Sequence, residues 1–343
     1  MRQALCALVV LALSLTACTA DASLPGSPAA PRPLAVGRRQ PSKPAPPATA
    51  PLTGLRIEGD APLSPVLAIK IDNASAAVPQ QGLDLAEVVF EEEVEGGITR
   101  FIALYQAFQP RAVGPVRSGR EVDADLLPPF SPVLGVSGAA GAVTRQLDKA
   151  KIRWLQETSG GSGDPFYRVA DRSSPHDLFV HTRALLAAGK DDLEALHEPV
   201  FSFDAQRPAG GRGIESVDLE FSPSSVVRWE WSGDAWHRLQ NGSAHKTVAG
   251  EGLTADNVVV MRVRSRQGDR ADSLGNPTLE LDVLGRGTAT VLRDGRAYPA
   301  RWRKTTAADH IQWTTPRGEA LPLRPGRTWI ELLKTSSSSR TTR

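Results

Sequence analysis

From about residue 214 to residue 333 the chain is one short alternating run after another. VDLEF, VVRWEW, NVVVMRVR, LELDVL, TATVLRDG, AYPARWRK and TWIELL are separated by turn residues such as Ser232-Gly233-Asp234 and Asp294-Gly295. Strand side chains alternate between two faces, so such runs read as strands of half-buried sheets. Six of the seven tryptophans fall here. Aromatic rings on strands fill cores more often than they serve as ligand platforms, so most are expected inside. The segment 199–333 is therefore expected to be a mostly β domain.

The preceding segment, 52–198, has a different texture. PVLAIKIDN reads as a strand. AEVVFEEEVE and ITRFIALYQAF flank Gly96-Gly97, a turn that tolerates positive φ, and so predict a hairpin. SPVLGVSG, AAGAVTRQLDKAK and IRWLQE follow as strand, helix and strand, a β-α-β pattern. SSPHDLFVHTRALLAAGK reads as a helix from Ser174-Pro175 to Gly189. The expected fold class is α+β: a mixed α/β N-terminal domain followed by a mostly β C-terminal one.

The ends of the chain read as an address and a tether. Residues 1–17 have a positive start, a short apolar run and the sequence Leu15-Thr16-Ala17 before Cys18, which predicts a removable lipoprotein signal with Cys18 acylated. Cys6 leaves with the signal, so no disulfide is available to the mature chain. Residues 18–51 are rich in Pro and Ala, and read as an extended, solvated tether. Residues 334–343 are expected to be a disordered tail. A net charge of +2 does not mark a nucleic-acid binder. The expected location is the outer face of the cytoplasmic membrane, with the membrane itself as a partner through Cys18.

The chemistry concentrates in EGGITRFIALYQAFQPRAVGPVRSGRE, residues 95–121. Ser118 and Glu121 have capping-box spacing, which predicts a helix starting after Ser118. Arg100, Arg117 and Arg120 would surround that helix start and match an anion's oxygens. Arg168, Arg172 and His176 are candidate companions in the same ligand-binding set. Glu91, Glu93 and Glu95 alternate and are expected on one face. Glu91 and Glu95 are candidates for either the counter-charges of the arginines or a base. No dense metal loop, phosphate-binding loop or dinucleotide spacing is present, so neither a metal nor a cofactor is expected.

Several strings resemble a known family. They are Pro79-Gln80-Gln81-Gly82-Leu83, Glu95-Gly96-Gly97-Ile98-Thr99-Arg100-Phe101, Gly114-Pro115-Val116-Arg117-Ser118, Ser174-Pro175-His176-Asp177 and Gly326-Arg327-Thr328-Trp329-Ile330. They are similar to the YerB-like bacterial lipoproteins, built from an N-terminal and a C-terminal domain of unknown function. The likeness spans about residues 51 to 333. Gly119, Glu87 and Asp177 depart from it, standing where the family commonly has Ala, Asp and Asn. The resemblance implies a cell-envelope lipoprotein and no particular reaction.

Three functions remain open at this level. The first is a membrane-anchored binding or scaffold protein for an anionic envelope ligand or partner. The second is a phosphoanion hydrolase or transferase acting on cell-wall or lipid-linked phosphates. The third is a structural protein whose Arg/Glu network is only a girder. Enzyme activity is the less favoured reading.

Overall fold

The computed structural model describes residues 49–57, 63–158, 163–271 and 275–343. The expected signal, Cys18 and nearly all of the tether lie outside the described residues. Three strands set the frame: β1 (Leu67–Asp72), β2 (Val88–Glu93) and β3 (Thr99–Tyr105). β2 and β3 pair antiparallel from Val88↔Leu104 to Glu93↔Thr99, as the glycine pair predicts. Gly96 and Gly97 both take φ of 73°, a region open to glycine at little cost.

These strands are the middle of a twelve-stranded sheet. Gln312–Thr314, Arg296–Lys304, Gly285–Arg293, Asn257–Ala271 and Thr328–Lys334 run from one edge to β2. β3, β1, Val133–Val136 and Arg153–Gln156 lead to the other edge, while Pro277–Asp282 and Arg212–Gly213 pair off this path with Asn257–Ala271 and Arg296–Lys304. The described residues gather into one compact unit. The joint between the halves is the parallel pairing of β2 with Thr328–Lys334, Glu91 opposite Glu331.

The sheet buries both faces. One face, with Ala68, Phe90 and Ile102, is covered by helices α1 (Glu121–Leu126) and α2 (Gly141–Lys149) through Val122, Leu126, Val143 and Leu147. The other face, with Ile71, Phe101 and Trp329, is covered by a six-stranded sheet carrying Leu219, Trp229 and Trp236. A three-stranded sheet of Ala112–Val113, Leu178–His181 and Phe166–Arg168 joins that side, as does helix α3 (Thr182–Gly189). Of the six C-terminal tryptophans, Trp229, Trp236, Trp302, Trp313 and Trp329 are buried, as the alternation predicts.

The chain as a whole is mostly β, and three expectations change. The N-terminal segment holds short helices of 6, 9 and 8 residues among its strands, so a mixed α/β description overstates its helix content. The parallel β-α-β unit is confined to Val133–Gln156. The helix expected from Ser174 begins only at Thr182, because Leu178–His181 alternates and pairs with Phe166–Arg168 and Ala112–Val113. The tail is not structureless either: Ser339–Thr342 pairs antiparallel with Ser216–Ser222.

A polar plug holds the two sheets together. Arg238, from the six-stranded sheet, donates to both oxygens of Glu91 at 2.8 and 2.7 Å. Its guanidinium lies 5.3 Å from the ring centroids of both Phe101 and Trp329. Trp229 Nε1 donates to Glu331 Oε1 at 2.8 Å. Burial, and then the neighbouring Glu91 charge, pushes the Glu331 carboxyl well above the usual carboxylate range, so it keeps a proton to share with Glu91. Burial and Arg238 hold His245 well below its usual value. Neutral His245 accepts from Arg238 at Nδ1 and donates from Nε2 to Gln80 Oε1 at 2.7 Å.

The raised Glu331 fixes a sign. The folded state holds a proton that the unfolded state releases, so the stability from this group is complete below its ordinary value of 4.5 and falls as pH rises towards the folded value. The Glu331→Gln variant mimics the protonated acid and should not titrate. Urea unfolding from about pH 5 to about pH 8 should show the wild type losing ground to the variant by up to about 1.4 kcal/mol per pH unit. Parallel curves would mean that Glu331 is ionised in the fold.

Candidate functional site

The site grows from a polar alternation in β1. Leu67, Ile69 and Ile71 face the six-stranded sheet, which turns Lys70 and Asp72 towards the helices. Both are fully buried. Lys70 Nζ donates to Asp123 Oδ1 at 2.6 Å and also binds Glu92. Asp72 Oδ2 is taken by Arg117 Nε at 3.0 Å and by His176 Nδ1 at 2.7 Å.

Arg100 stands in β3 with Asp72 opposite on one side and Glu92 opposite on the other. Both carboxylates are committed, Glu92 to Lys70 and Asp72 to Arg117 and His176. Arg100 is therefore left without a carboxylate partner among the described residues, although it is only 5 % exposed. One terminal nitrogen donates to Ser118 O at 3.3 Å, and Nε has no partner. Burial, then the charges of Arg120 and Arg117, pushes its guanidinium down to about 10. An unpaired buried cation is costly, so its retention needs a reason.

Arg100 lines a cleft of ≈ 660 Å3, together with Arg117 and Arg120. The opposite wall comes from the other half of the chain, with Arg270 and Thr278 on the hairpin made by Asn257–Ala271 and Pro277–Asp282. Arg120 donates to Glu95 Oε2 from Nε at 3.1 Å and from a terminal nitrogen at 2.6 Å. Burial raises the Glu95 carboxyl, but Arg120 outweighs it and holds Glu95 below its usual value. Arg270 pairs with Glu121 across the cleft.

The three arginines expected together line one cleft, and their neighbours differ from the expectation. Ser118 is not the helix cap. Ser137 N donates to Arg117 O and Gly119 N to Gly138 O, both at 3.0 Å, which keeps residues 117–119 extended. The cap is Arg120, whose backbone N–H donates to Asp123 Oδ2 at 2.8 Å. The helix has only six residues, so its end contributes little positive field. The three glutamates do not share a face. Glu91 points to Arg238 and Glu93 to Lys334, whereas Glu95 sits beyond the strand and turns to Arg120.

The remaining candidates work elsewhere. Arg168 pairs with Glu157 at 2.5 Å and Asp177 at 2.6 Å. Asp177 thus supplies a counter-charge that an amide would not. Arg172 donates to Ala77 O at 2.9 Å and Pro79 O at 2.6 Å and lies over the Phe179 ring. His176 is held by Asp72 at the flank of the cleft. Lys70, Asp72, Asp123 and Arg270 were missed as site residues. The alternation of LAIKID was a usable signal for the first two, and no local signal marked the others.

Two family models match the chain, the N-terminal domain of the protein of unknown function DUF3048 over residues 52–195 and its C-terminal domain over residues 217–330. The chain belongs to the DUF3048 family. Among its DUF3048-type relatives is the protein named "Putative lipoprotein YerB" of Bacillus subtilis (strain 168), 24% identical over 291 residues, 83% of this chain and 86% of that protein. The crystal structure of the YerB protein from Bacillus subtilis superposes with a TM-score of 0.74 at 23% identity, covering 85% of this chain and 99% of that one. The YerB-like resemblance read from the sequence is thereby shown, and the fold is common to both. No helix among the described residues is long and apolar enough to cross a membrane. A lipoprotein anchor accords with the relative's name.

The buried triad beneath the cleft yields a test. Lys70→Met leaves Glu92 and Asp123 without their cation and should cost about 3–5 kcal/mol in urea unfolding. Adding Glu92→Leu should recover part of that loss, because Asp123 keeps the Arg120 backbone N–H. An unaltered Lys70→Met midpoint would remove the triad as the support of the site.

Proposed function

We propose that this chain is a membrane-anchored, extracytoplasmic lipoprotein that binds an anionic envelope ligand, or an anionic group of a partner, in the cleft of Arg100 and Arg117. The observation that carries this reading is the open side of Arg100. A girder would match each arginine with a carboxylate, and among the described residues Arg100 has none in ion-pair contact, Asp72 and Glu95 acting on it only from further off. The cation is held in place by neighbours that are already committed, and it lines a cleft large enough for a small molecule. The anchor is the acylated Cys18, and the tether lifts the folded part off the outer face of the membrane.

The hydrolase or transferase alternative needs Glu91 or Glu95 as its base. Glu91 lies on the other face of the sheet under Arg238, and Glu95 is held by Arg120. Binding is the reading that keeps all the observed partners in place.

Arg100→Met separates binding from a girder. Removing an unpaired buried cation should leave the ligand-free protein as stable as before or more so. Inorganic phosphate, pyrophosphate or a uronic acid at a hundred times its Kd should stabilise the wild type by about 2.7 kcal/mol and the variant not at all. Arg168→Ala should keep the shift. An Arg100→Met protein that melts early, in a chain that responds to no anion, would make the arginines structural.

A further inference from the structure

What kind of anion fits follows from the donors that the two arginines leave open; the inference rests on the anion-binding reading. Arg100 spends one terminal nitrogen on Ser118 O. Its Nε has no partner, and it shares the side edge of the fork with the other terminal nitrogen. Arg117 turns Nε to Asp72 in an ion pair at 3.0 Å that is not a hydrogen bond, which leaves the end of the fork with its two terminal nitrogens facing away from Asp72. Arg120 spends four of its five N–H donors on Glu95, Gly119 O and Ser118 O, so it offers no open two-point edge. The two side chains are neighbours on one cleft wall, since Arg117 pairs with the residue that stands opposite Arg100 in the β1–β3 register.

Two adjoining forks are a poor match for a carboxylate. Its two oxygens can accept from both forks, but its one charge offsets only one of the two cations. A phosphate diester has two unesterified oxygens and one charge. A phosphate monoester presents three oxygens in a tetrahedral array and carries about −1.5 to −2 charge near pH 7, which accepts both forks and offsets both cations. The cleft, at ≈ 660 Å3, holds far more than a phosphoryl group. Ile98 and Val143 line the remainder with apolar surface, and Ser118 and Thr278 add hydroxyls. We infer that the cleft binds a phosphate monoester, its phosphoryl group on Arg100 and Arg117 and a small hydroxylated body in the space beyond.

Such a monoester has two sources in an envelope, a free sugar- or glycerol-type phosphate and a lipid headgroup that ends in an unsubstituted phosphate. Calorimetric titration of the full chain in non-ionic detergent can compare glycerol 3-phosphate with dihexanoyl phosphatidic acid. Galacturonate supplies a carboxylate control and dihexanoyl phosphatidylglycerol a diester control. Either monoester should bind at least tenfold tighter than both controls, and the tighter of the two names the source.

The pH profile is an independent reading. The titratable groups around the cleft are Asp72, Glu92, Glu95, Glu121, Asp123 and His176, with Lys70, Arg120 and Arg270 as fixed cations. Protonating any of the titratable groups would favour an anion, so acidification acting on the protein alone would strengthen binding. A phosphate monoester gains its second charge with a pKa of about 6. Its affinity should therefore rise about tenfold from about pH 5 to about pH 7.5, a sign that only the ligand's own ionisation supplies. Arg117→Lys keeps a cation beside Asp72 and loses the two-point contact, so it should melt like the wild type and lose at least tenfold in monoester affinity. Controls that bind as tightly as the monoesters, or an affinity that is flat or falls with pH, would overturn the phosphate assignment and leave the anion site standing. Binding by none of the four compounds would overturn the anion site as well.

Discussion

The parallel pairing of β2 with Thr328–Lys334 is the constraint on which the rest depends. It places a strand from near the end of the chain beside one from near its start, with Glu91 against Glu331. Two acids side by side in a core are tolerable only if one keeps its proton and the other finds a cation. Glu331 keeps the proton, and Arg238 reaches across from the second sheet to Glu91. The electrostatic requirement of one strand pair thus fixes the docking of a whole layer. It also brings the long hairpin of the C-terminal half over α1, where Arg270 meets Glu121 and closes the cleft's far wall.

On the opposite face of the same sheet, charge is distributed unevenly. Lys70 has two carboxylates and Asp72 has two cationic or polar partners, while Arg100, between them in the strand rows, has a single carbonyl. An internally balanced sheet would have matched it. The imbalance carries a cost in the free protein, which the binding proposed for the cleft would offset. Preorganisation follows as well, since the neighbours that deny Arg100 a carboxylate also fix where its open edge points.

Much of this was legible in the residues. Gly96-Gly97 announced the hairpin, period-two runs announced the strands, and the tryptophans went inside as β-core aromatics do. Arg100, Arg117 and Arg120 do line one cleft. Pairing was not legible, for a physical reason. Alternation says which residues share a face, but not which face it is or what will cover it. Glu91 and Glu95 looked equivalent until the strand ended at Glu93 and the turn swung Glu95 round to Arg120. Arg238, the true partner of Glu91, is 147 residues away. The false cap at Ser118 failed for a non-local reason too, because the backbone bonds that hold residues 117–119 extended come from the loop at Ser137 and Gly138.

The start of the folded part has a mechanical consequence. Pro51 O accepts from Val200 N, and Thr53 O accepts from Gly326 N, two residues before the strand that pairs with β2. Leu52 and Thr53 are fully buried, and Phe203 packs where a side chain at Gly54 would stand. A pull arriving along the chain ahead of Thr49 is therefore not borne by a fraying end. It is shared at once with the linker between the halves and with the loop feeding the central sheet. The first segment to take a load is stitched to the loop that feeds the last strand of that sheet, so the protein resists such a pull as one body.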